Sequence, residues 1–181
     1  TDIYPKRRIN IGDEVLRVED LKCKGVNKVS FEVKHGEIFG IAGLAGAGRT
    51  EIIRAIIGAD PIESGKVIYK DEQVHFKSAR DGIEAGIGIV PEERKSQGLL
   101  LKQDVQYNVN LTSLEKISND FGKINLKKEK QTAKKYVDIF HIRPGDPNLI
   151  VSAMSGGNQQ KVVFAKWYAI DPEILILDEP T

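Results

Sequence analysis

The segment Gly43–Thr50 has the sequence GLAGAGRT, whose residue types are suited to holding phosphate groups. Glycines let successive backbone N–H groups point inward, and the N-terminus of a following helix adds partial positive charge. The spacing of Gly43, Gly48 and Thr50 matches the pattern G-x-x-x-x-G-x-[ST], in which the hydroxyl reaches Mg²⁺. We therefore predict a phosphate-binding loop between an apolar strand and an apolar helix. On the glycines alone, a plain flexible turn stays open as the alternative.

Arg49 stands at the position where this pattern has a lysine. A lysine ammonium is a compact point charge, whereas the guanidinium of arginine is planar and bulkier. Arg49 still neutralises phosphate charge and is able to donate two hydrogen bonds to one phosphate. The loop therefore predicts phosphate binding, but fast hydrolysis does not follow from it.

Two further segments have residues that suit phosphate chemistry. The apolar run Ile174–Leu177 ends at Asp178 and Glu179, and paired carboxylates there suit a hydrated Mg²⁺ ion and an attacking water. Ser155 is followed by two glycines and opens another apolar helix, for which it is a natural N-cap. Each segment alone also fits an ordinary strand end or a well-capped helix. The order of all three in one chain is the specific signal.

Composition excludes several other classes of protein. The 181 residues suffice for one domain, or a domain with a small appendage, and are 40% hydrophobic and 29% charged. With 27 basic and 26 acidic side chains, the formal charge of +1 gives no overall attraction to nucleic acid or an anionic membrane. Cys23 is the only cysteine, which excludes an internal disulfide and fits a reducing compartment. The three scattered histidines predict no metal cluster.

Hydrophobic periodicity predicts the elements that position these residues. Two helices are predicted, Thr50–Ile57 and Lys127–Phe140. The predicted strands are Val15–Val18, Val29–Val33, Glu37–Ala42, Lys66–Tyr69, Val74–Phe76, Ile87–Val90 and Ile174–Leu177, the last two being buried. Strands that alternate with helices favour an α/β fold with a largely parallel sheet.

A basic flank accompanies the second predicted helix. We interpret it as a solvated face, with an interaction patch as the alternative. Its six lysines are Lys123, Lys127, Lys128, Lys130, Lys134 and Lys135.

The order of the three motifs resembles that of ABC-type ATPase domains. The resemblance is closest to the second nucleotide-binding domain of the double-domain ATPases of ribose/galactose/xylose importers, and residues 4–18 resemble the linker and first strand there. The segments that match this group are Gly43–Glu51 (GLAGAGRTE), Val90–Leu99 (VPEERKSQGL), Ser155–Val162 (SGGNQQKV) and Ala165–Trp167. The resemblance implies an α/β P-loop NTPase with an antiparallel β subdomain and a helical subdomain.

The resemblance also implies a division of the chain. We expect an interdomain linker (1–12), a P-loop core with its β subdomain (13–92), a helical subdomain carrying the signature motif (93–160) and a return to the core (161–181). The chain is expected to be truncated after the Walker B motif.

The same resemblance implies roles for individual residues. Asp178, Thr50 and Glu92 are expected at Mg²⁺, with Glu179 and Arg49 as catalytic residues. Contacts to the phosphates of ATP are expected from Gly43, Leu44, Ala45, Gly46, Ala47, Gly48, Arg49, Thr50 and Glu51. Contacts to nucleotide on an opposite domain are expected from Ser155, Gly156, Gly157 and Gln159. No aromatic residue stands at Gly25–Val26, where many ABC domains stack one on adenine.

The implied function is an ATP-binding and ATP-hydrolysing energy-coupling domain of a carbohydrate importer, using ATP and Mg²⁺. Its implied partners are another nucleotide-binding domain, arranged head to tail, and transmembrane permease subunits. A periplasmic or extracellular sugar-binding protein takes part indirectly, and no nucleic acid is expected. The domain is expected in the cytoplasm, peripheral on the cell membrane. Two alternatives remain open: a nucleotide-binding regulatory domain without hydrolysis, motivated by Arg49 and Glu92, and an ABC ATPase with a nucleic-acid or ribosome partner.

Overall fold

A computed structural model describes residues 10–179 of the chain. The chain divides into two compact units, Thr1–Gly82 and Ile83–Thr181, and each is described by itself. Most of the expected linker, residues 1–9, lies outside the described residues. The expected domain limits at 13–92, 93–160 and 161–181 stay predictions.

The first unit contains a four-stranded antiparallel sheet with the strand order β2-β1-β3-β4. Val18 of β1 lies opposite Phe31 on one neighbouring strand and Val67 on the other, so β1 is central. The strands are β1 (Glu14–Cys23), β2 (Val26–Lys34), β3 (Ser64–Tyr69) and β4 (Glu72–Val74). The first two predicted strands and the fourth are confirmed, whereas the strand predicted at Val74–Phe76 overlaps β4 only at Val74.

Helix α1 (Arg49–Ile56) packs against β1 and confirms the first predicted helix. Its isoleucines at 52, 53 and 56 are buried, because the 3.6-residue period places them on one face. Arg54, on the opposite face, donates two hydrogen bonds to the Asp60 carboxylate, Nε at 2.7 Å and Nη2 at 2.9 Å. This ion pair holds the end of α1 to the loop that follows it.

The prediction of a strand at residues 37–42 is wrong, because these residues form no strand in the described part of the chain. Ile38 is 88% exposed, and Phe39 stacks on Phe31 of β2 with 5.2 Å between the ring centroids. An apolar run becomes a strand only where another backbone supplies hydrogen-bond partners, and no described strand pairs with this one.

The second unit contains a pair of parallel strands, β5 (Ile87–Val90) and β6 (Ile174–Leu177). Their register places Ile87 opposite Ile174 and Val90 opposite Leu177. Both predicted strands are therefore confirmed. The expectation of a largely parallel sheet is wrong for the described residues, because these are the only parallel strands among them. The prediction that β6 is buried is also wrong: its side chains are half-buried to exposed.

Helices form most of the regular secondary structure of the second unit. They are α3 (Val105–Asn110), α4 (Leu114–Ile117), α5 (Leu126–Ile139) and α6 (Gly156–Tyr168), while α2 (Ala79–Glu84) crosses the division between the units. A π-helical turn covers Arg94–Gly98 and a 3-10 turn covers Val151–Ala153. Ala133, Tyr136 and Val137 of α5 are buried because their spacing of three and four residues places them on one face. Tyr136 and Val137 share a core with Trp167. Among residues 10–179, no helix is long and apolar enough to cross a membrane.

Candidate functional site

The predicted phosphate-binding loop leads directly into α1. Gly46 and Gly48 have φ angles of 77° and 86°, in the left-handed region, and Gly48 is the N-cap residue of the helix. The Ala47 amide donates a hydrogen bond to the Leu44 carbonyl at 3.0 Å, which closes the turn. Alternating right- and left-handed residues turn backbone N–H groups to one side, and the first amides of a helix have no acceptor within it. The loop therefore has the backbone geometry of an anion-binding site.

Position 48 requires a glycine both because of its φ angle and because neighbouring atoms leave no room for a side chain. A Cβ atom at position 48 would lie 2.3 Å from Cγ2 of Val26, at the start of β2. The start of β2, directly after the turn at Gly25, therefore lies against the predicted phosphate-binding loop. The residue that faces the loop at this point is aliphatic.

The loop is open to solvent in front of α1. Residues 43–47 are exposed and Leu44 is 86% exposed, whereas Arg49, Thr50 and Glu51 are half-buried. The stem of Arg49 bends back toward the start of the loop, since a Cβ atom at Gly43 would lie 3.7 Å from Arg49 Cδ. All the residues predicted to surround phosphates in this unit therefore lie in one continuous turn and its helix.

The carboxylates that follow β6 lie in the second unit and are described there by themselves. The Asp178 amide donates to the Val90 carbonyl at 2.9 Å, and Asp178 is only 6% exposed. Glu179 is exposed and has a φ angle of 45°. Glu179 lines a cavity of about 380 Å³ together with Glu92, Glu93, Arg94 and Lys95. The structure therefore brings Glu92 and Glu179 to one cavity, while Asp178 does not line it.

The donor chemistry of these carboxylates suits a hard cation. Mg²⁺ binds oxygen ligands and is usually held by one or two carboxylates together with waters and substrate phosphates. Within residues 10–179, no group of three or more His, Cys, Asp or Glu side chains could hold a metal ion by itself. One or two carboxylates, from Glu92 or Asp178, together with phosphate oxygens fit this requirement. A cage of ligands made of protein alone does not.

The segment that begins at Ser155 opens α6, as predicted. Ser155 is the N-cap residue, but its hydroxyl caps no backbone amide; it accepts a hydrogen bond from Asn158 Nδ2 at 3.0 Å. Ser155 and Gly157 are exposed and Gly156 is half-buried. Gln159 is only 5% exposed, because its side-chain amide donates to the carbonyls of Val151 at 3.1 Å and Met154 at 3.3 Å. Gln159 thus supports the segment from inside the unit.

Arg94 contacts this segment and was missed from the sequence. A Cβ atom at position 156 would lie 2.8 Å from Arg94 Nη2, so the absence of a side chain at Gly156 makes room for the guanidinium. Arg94 Nε is buried and has no hydrogen-bond partner among the described residues. The sequence contained Arg94 within a matched segment, but no local pattern signals a contact between residues so far apart in the chain.

Lys166 of α6 was also missed. It is 4% exposed, and its ammonium donates a hydrogen bond to the Gly98 carbonyl at the end of the π-helical turn. Its Nζ atom lies 5.1 Å from the centre of the Trp167 ring. Burial lowers the pKa of Lys166 from 10.5 to about 8. Lys166 therefore ties α6 to the turn that follows Glu92.

Comparison with known proteins identifies relatives for nearly the whole chain. The family model described as ABC transporter matches residues 26–181. The chain is 48% identical to the ribose import ATP-binding protein RbsA of Geobacillus kaustophilus, covering 98% of this chain and 36% of that protein. It is 44% identical to a putative ribose/galactose/methyl galactoside import ATP-binding protein of Agrobacterium fabrum, covering 99% and 36% respectively. The chain thus spans about a third of the length of these relatives.

Solved structures share the fold. A nucleotide-free ATP-binding cassette from an ABC transporter superposes with a TM-score of 0.75 at 20% identity, covering 93% of this chain and 70% of that one. CbiO1 of Clostridium perfringens, part of an ABC transporter complex, gives 0.74 at 22% identity, with coverage of 93% and 66%. The predicted α/β P-loop NTPase fold is therefore confirmed, and the chain belongs to the ABC transporter family.

Proposed function

We propose that this chain is an ATP-binding and ATP-hydrolysing domain that couples ATP to carbohydrate import. The proposal that the imported substrate is a carbohydrate is supported by relatives named as ribose or galactose import ATP-binding proteins, which match 98–99% of the chain. The observation that carries the nucleotide part is the loop closed between Gly43 and Gly48, with its left-handed glycines at the start of α1. The substrate of the whole protein stays a proposal, since the chain corresponds to about a third of its relatives.

The phosphates of ATP are assigned to the loop from Gly43 to Gly48 and to the first turn of α1. Loop amides donate to phosphate oxygens, and the start of the helix adds favourable charge. Arg49 neutralises the phosphates, and the Thr50 hydroxyl together with Glu51 completes this set. Since Val26 is aliphatic and lies against Gly48, we assign it an apolar contact in place of an aromatic stack on the base.

The carboxylates after β6 are assigned to hydrolysis. Mg²⁺, when bound, neutralises charge that develops on the phosphates, and we assign its ligands to Asp178, Glu92 and Thr50. Glu179 orients the attacking water and accepts its proton, for which its exposed position on a cavity with Glu92 is suitable. Burial of Asp178 beside Val90 keeps that carboxylate in a defined place.

The segment Ser155–Gly157 is assigned to nucleotide bound by a second nucleotide-binding domain, in a head-to-tail arrangement. Its exposure and its position at the start of α6 support this assignment. Gln159 then acts by holding the segment through Val151 and Met154, because its side chain is buried. The other proposed partners are transmembrane permease subunits and, indirectly, a sugar-binding protein. With these partners, we propose that the domain lies at the cytoplasmic face of the membrane.

A thermal-shift titration with Mg-ATP tests the nucleotide part of this proposal. Ligand at about 100 times its Kd stabilises by about 2.7 kcal/mol, which for a chain of this size corresponds to roughly 5–11 °C in Tm. Arg49→Ala should reduce the shift strongly, while Lys77→Ala, which removes an equal charge from an exposed position, should not. Equal shifts in both variants, or no shift for the unmodified chain at millimolar Mg-ATP, would contradict the proposal.

The alternative of a regulatory domain without hydrolysis is favoured by one observation, the arginine at position 49. Single-turnover hydrolysis in the assembled transporter separates the two functions. If Glu179→Gln abolishes turnover at this site, the domain hydrolyses ATP; if that variant changes nothing and Arg49→Lys raises turnover, it is regulatory. No observation favours a nucleic-acid or ribosome partner, and a salt-dependent gel shift with nucleic acid would be the contrary result.

A further inference from the structure

A second cavity in the unit Ile83–Thr181, of about 410 Å³, shares no residue with the candidate site. It lies between α4, the first three turns of α5 and the turn that follows α6. Its lining is polar and basic, and consists of Ser113, Lys116, Ile117, Lys128, Gln131, Thr132, Lys135, Tyr136, Ala169 and Asp171.

Positive charge dominates this cavity. Three lysines line it against a single carboxylate, that of Asp171. Lys128 and Lys135 stand seven residues apart on one face of α5, which separates their backbones by roughly 10 Å along the helix axis. Gln131 and Thr132 occupy the same face between them, so polar groups lie between two separated cations.

The contacts of these lysines leave most of the charge uncompensated. Lys116 Nζ donates to the Ile170 carbonyl at 2.6 Å and to the Ala169 carbonyl at 3.5 Å, which holds this ammonium at the C-terminal end of α6. Lys135 Nζ lies 5.0 Å from the centre of the Tyr136 ring. Neither Lys128 nor Lys135 forms an ion pair within the described part of the chain.

The cavity separates two lysines from the other four of the basic flank. Lys128 and Lys135 line it, whereas Lys127 and Lys134, each one position earlier, do not. All four are exposed, so burial alone does not distinguish them. A solvated face accounts for Lys127 and Lys134, but it leaves the concentration of like charge in one concavity unexplained. Concave surfaces of one sign raise the local concentration of counter-ions and ligands of the opposite sign.

We propose that this cavity binds a small polyhydroxy molecule that carries two phosphate groups. Lysine binds phosphate as a point charge, and backbones roughly 10 Å apart along α5 allow Lys128 and Lys135 to reach different phosphates of one molecule. Lys116 adds a third cation, while Gln131 and Thr132 offer hydrogen bonds to hydroxyl groups between the phosphates. A volume of about 410 Å³ lies within the usual range of ligand pockets, roughly 300–1,000 Å³.

Calorimetric titration of the full chain with fructose 1,6-bisphosphate tests this proposal. The bisphosphate should bind at least about ten-fold more tightly than fructose 6-phosphate, and fructose itself should not bind. Lys128→Gln and Lys135→Gln should each weaken bisphosphate binding by about ten-fold. The matched controls Lys127→Gln and Lys134→Gln, which remove equal charge from the same helix, should change it less than two-fold.

Acetylation by an amine-reactive reagent, read by mass spectrometry, gives a measurement that needs no variant. The bisphosphate should protect Lys128 and Lys135 in the unmodified chain and leave Lys127 and Lys134 reactive. Equal weakening by all four variants would show a general charge effect and overturn the proposal. Binding without protection of Lys128 and Lys135, or no binding at millimolar bisphosphate, would also overturn it.

Discussion

Two glycine-containing segments each open a helix in this protein, and they are built by different means. Before α1, Gly46 and Gly48 adopt left-handed φ angles, and the cap residue has no side chain to contribute. Before α6, Ser155 is extended, with φ −63° and ψ 154°, and neither glycine that follows is left-handed. The first segment depends on backbone freedom. The second depends on side chains that reach it from elsewhere in its unit.

This difference determines whether each segment is recognisable from sequence and which substitutions disrupt it. A left-handed glycine is a local requirement, so the loop from Gly43 to Gly48 is recognisable by spacing alone. The segment at Ser155 is supported by the amide of Gln159 and is packed by Arg94, neither of which follows from the glycine pattern. Four predictions concern these segments and the side-chain contacts around them, and they are given in order of decreasing expected effect.

Gly48→Ala should have the largest effect. The new Cβ atom would lie 2.3 Å from Val26 Cγ2, and an L-residue would be forced to a φ angle near 86°. Left-handed strain and overpacking together cost about 2–4 kcal/mol in the free energy of unfolding, and Mg-ATP should no longer raise Tm. Chemical denaturation measures the first effect and thermal shift the second.

The double variant Val26→Ala, Gly48→Ala separates the two causes. Removing Cγ2 relieves the steric collision but leaves the φ angle, so about half of the lost stability should return. Full recovery would show that the left-handed backbone is unimportant at position 48, which would contradict the proposed basis of this loop.

The pH dependence of the free energy of unfolding tests the burial of Lys166 in the second unit. Its folded-state pKa of about 8 lies below the ordinary value of 10.5, so between these pH values the unfolded chain binds a proton that the folded chain does not. The free energy of unfolding therefore rises with pH in this window and carries the full penalty below it. Relative to that of Lys166→Met, the free energy of unfolding of the unmodified chain should rise by about 2 kcal/mol between about pH 7 and pH 9.5.

The measurement is urea denaturation of both proteins across this range. Taking the difference between them cancels other groups that titrate in alkali. A difference that is independent of pH would mean that the Lys166 ammonium is not held in a low-dielectric environment.

Gly156→Ala and Gly157→Ala form a matched pair at the start of α6. A Cβ atom at 156 lies 2.8 Å from Arg94 Nη2, whereas at 157 nothing lies within 4 Å. Alanine is the better helix former by about 1 kcal/mol, so Gly157→Ala should stabilise and Gly156→Ala should lose that gain by displacing Arg94. Thermal denaturation should separate the variants by about 1 kcal/mol, and adding Arg94→Ala should remove the separation. Equal stability of the two single variants would show that Arg94 does not contact this segment.

Asp60→Asn should have the smallest effect. The hydrogen bonds from Arg54 lower the pKa of the Asp60 carboxyl below its ordinary value of 3.8. The stabilisation is therefore present above that value and is lost as pH falls through the lowered pKa. Because this ion pair is partly exposed, the substitution should lower the free energy of unfolding by less than about 1 kcal/mol near neutral pH. In strong acid it should not change the free energy of unfolding. Asp71→Asn, at an exposed turn, is the control, and an equal loss there would show that the pair contributes nothing specific.

Local rules account for what the sequence predicted correctly. Periodicity identified α1, α5 and most strands, because burial of one face is encoded every two or every three to four residues. The run at 37–42 has the same local pattern as a strand, yet pairing depends on a partner backbone that local sequence does not reveal. The side chain of Gln159 is another example, since only packing decides that its amide turns inward to Val151.

The sequence by itself determined the family, the glycine loop for which phosphate binding is predicted, and the order of the three motifs, because glycine φ preferences and motif spacing are properties of short segments. Tertiary structure alone decided that Arg94 packs against Gly156, that Lys166 reaches the Gly98 carbonyl, and that only two of the five lysines on α5 line a cavity. Such contacts join residues distant in the chain, and their energies arise from burial and packing, which exist only once each unit has folded.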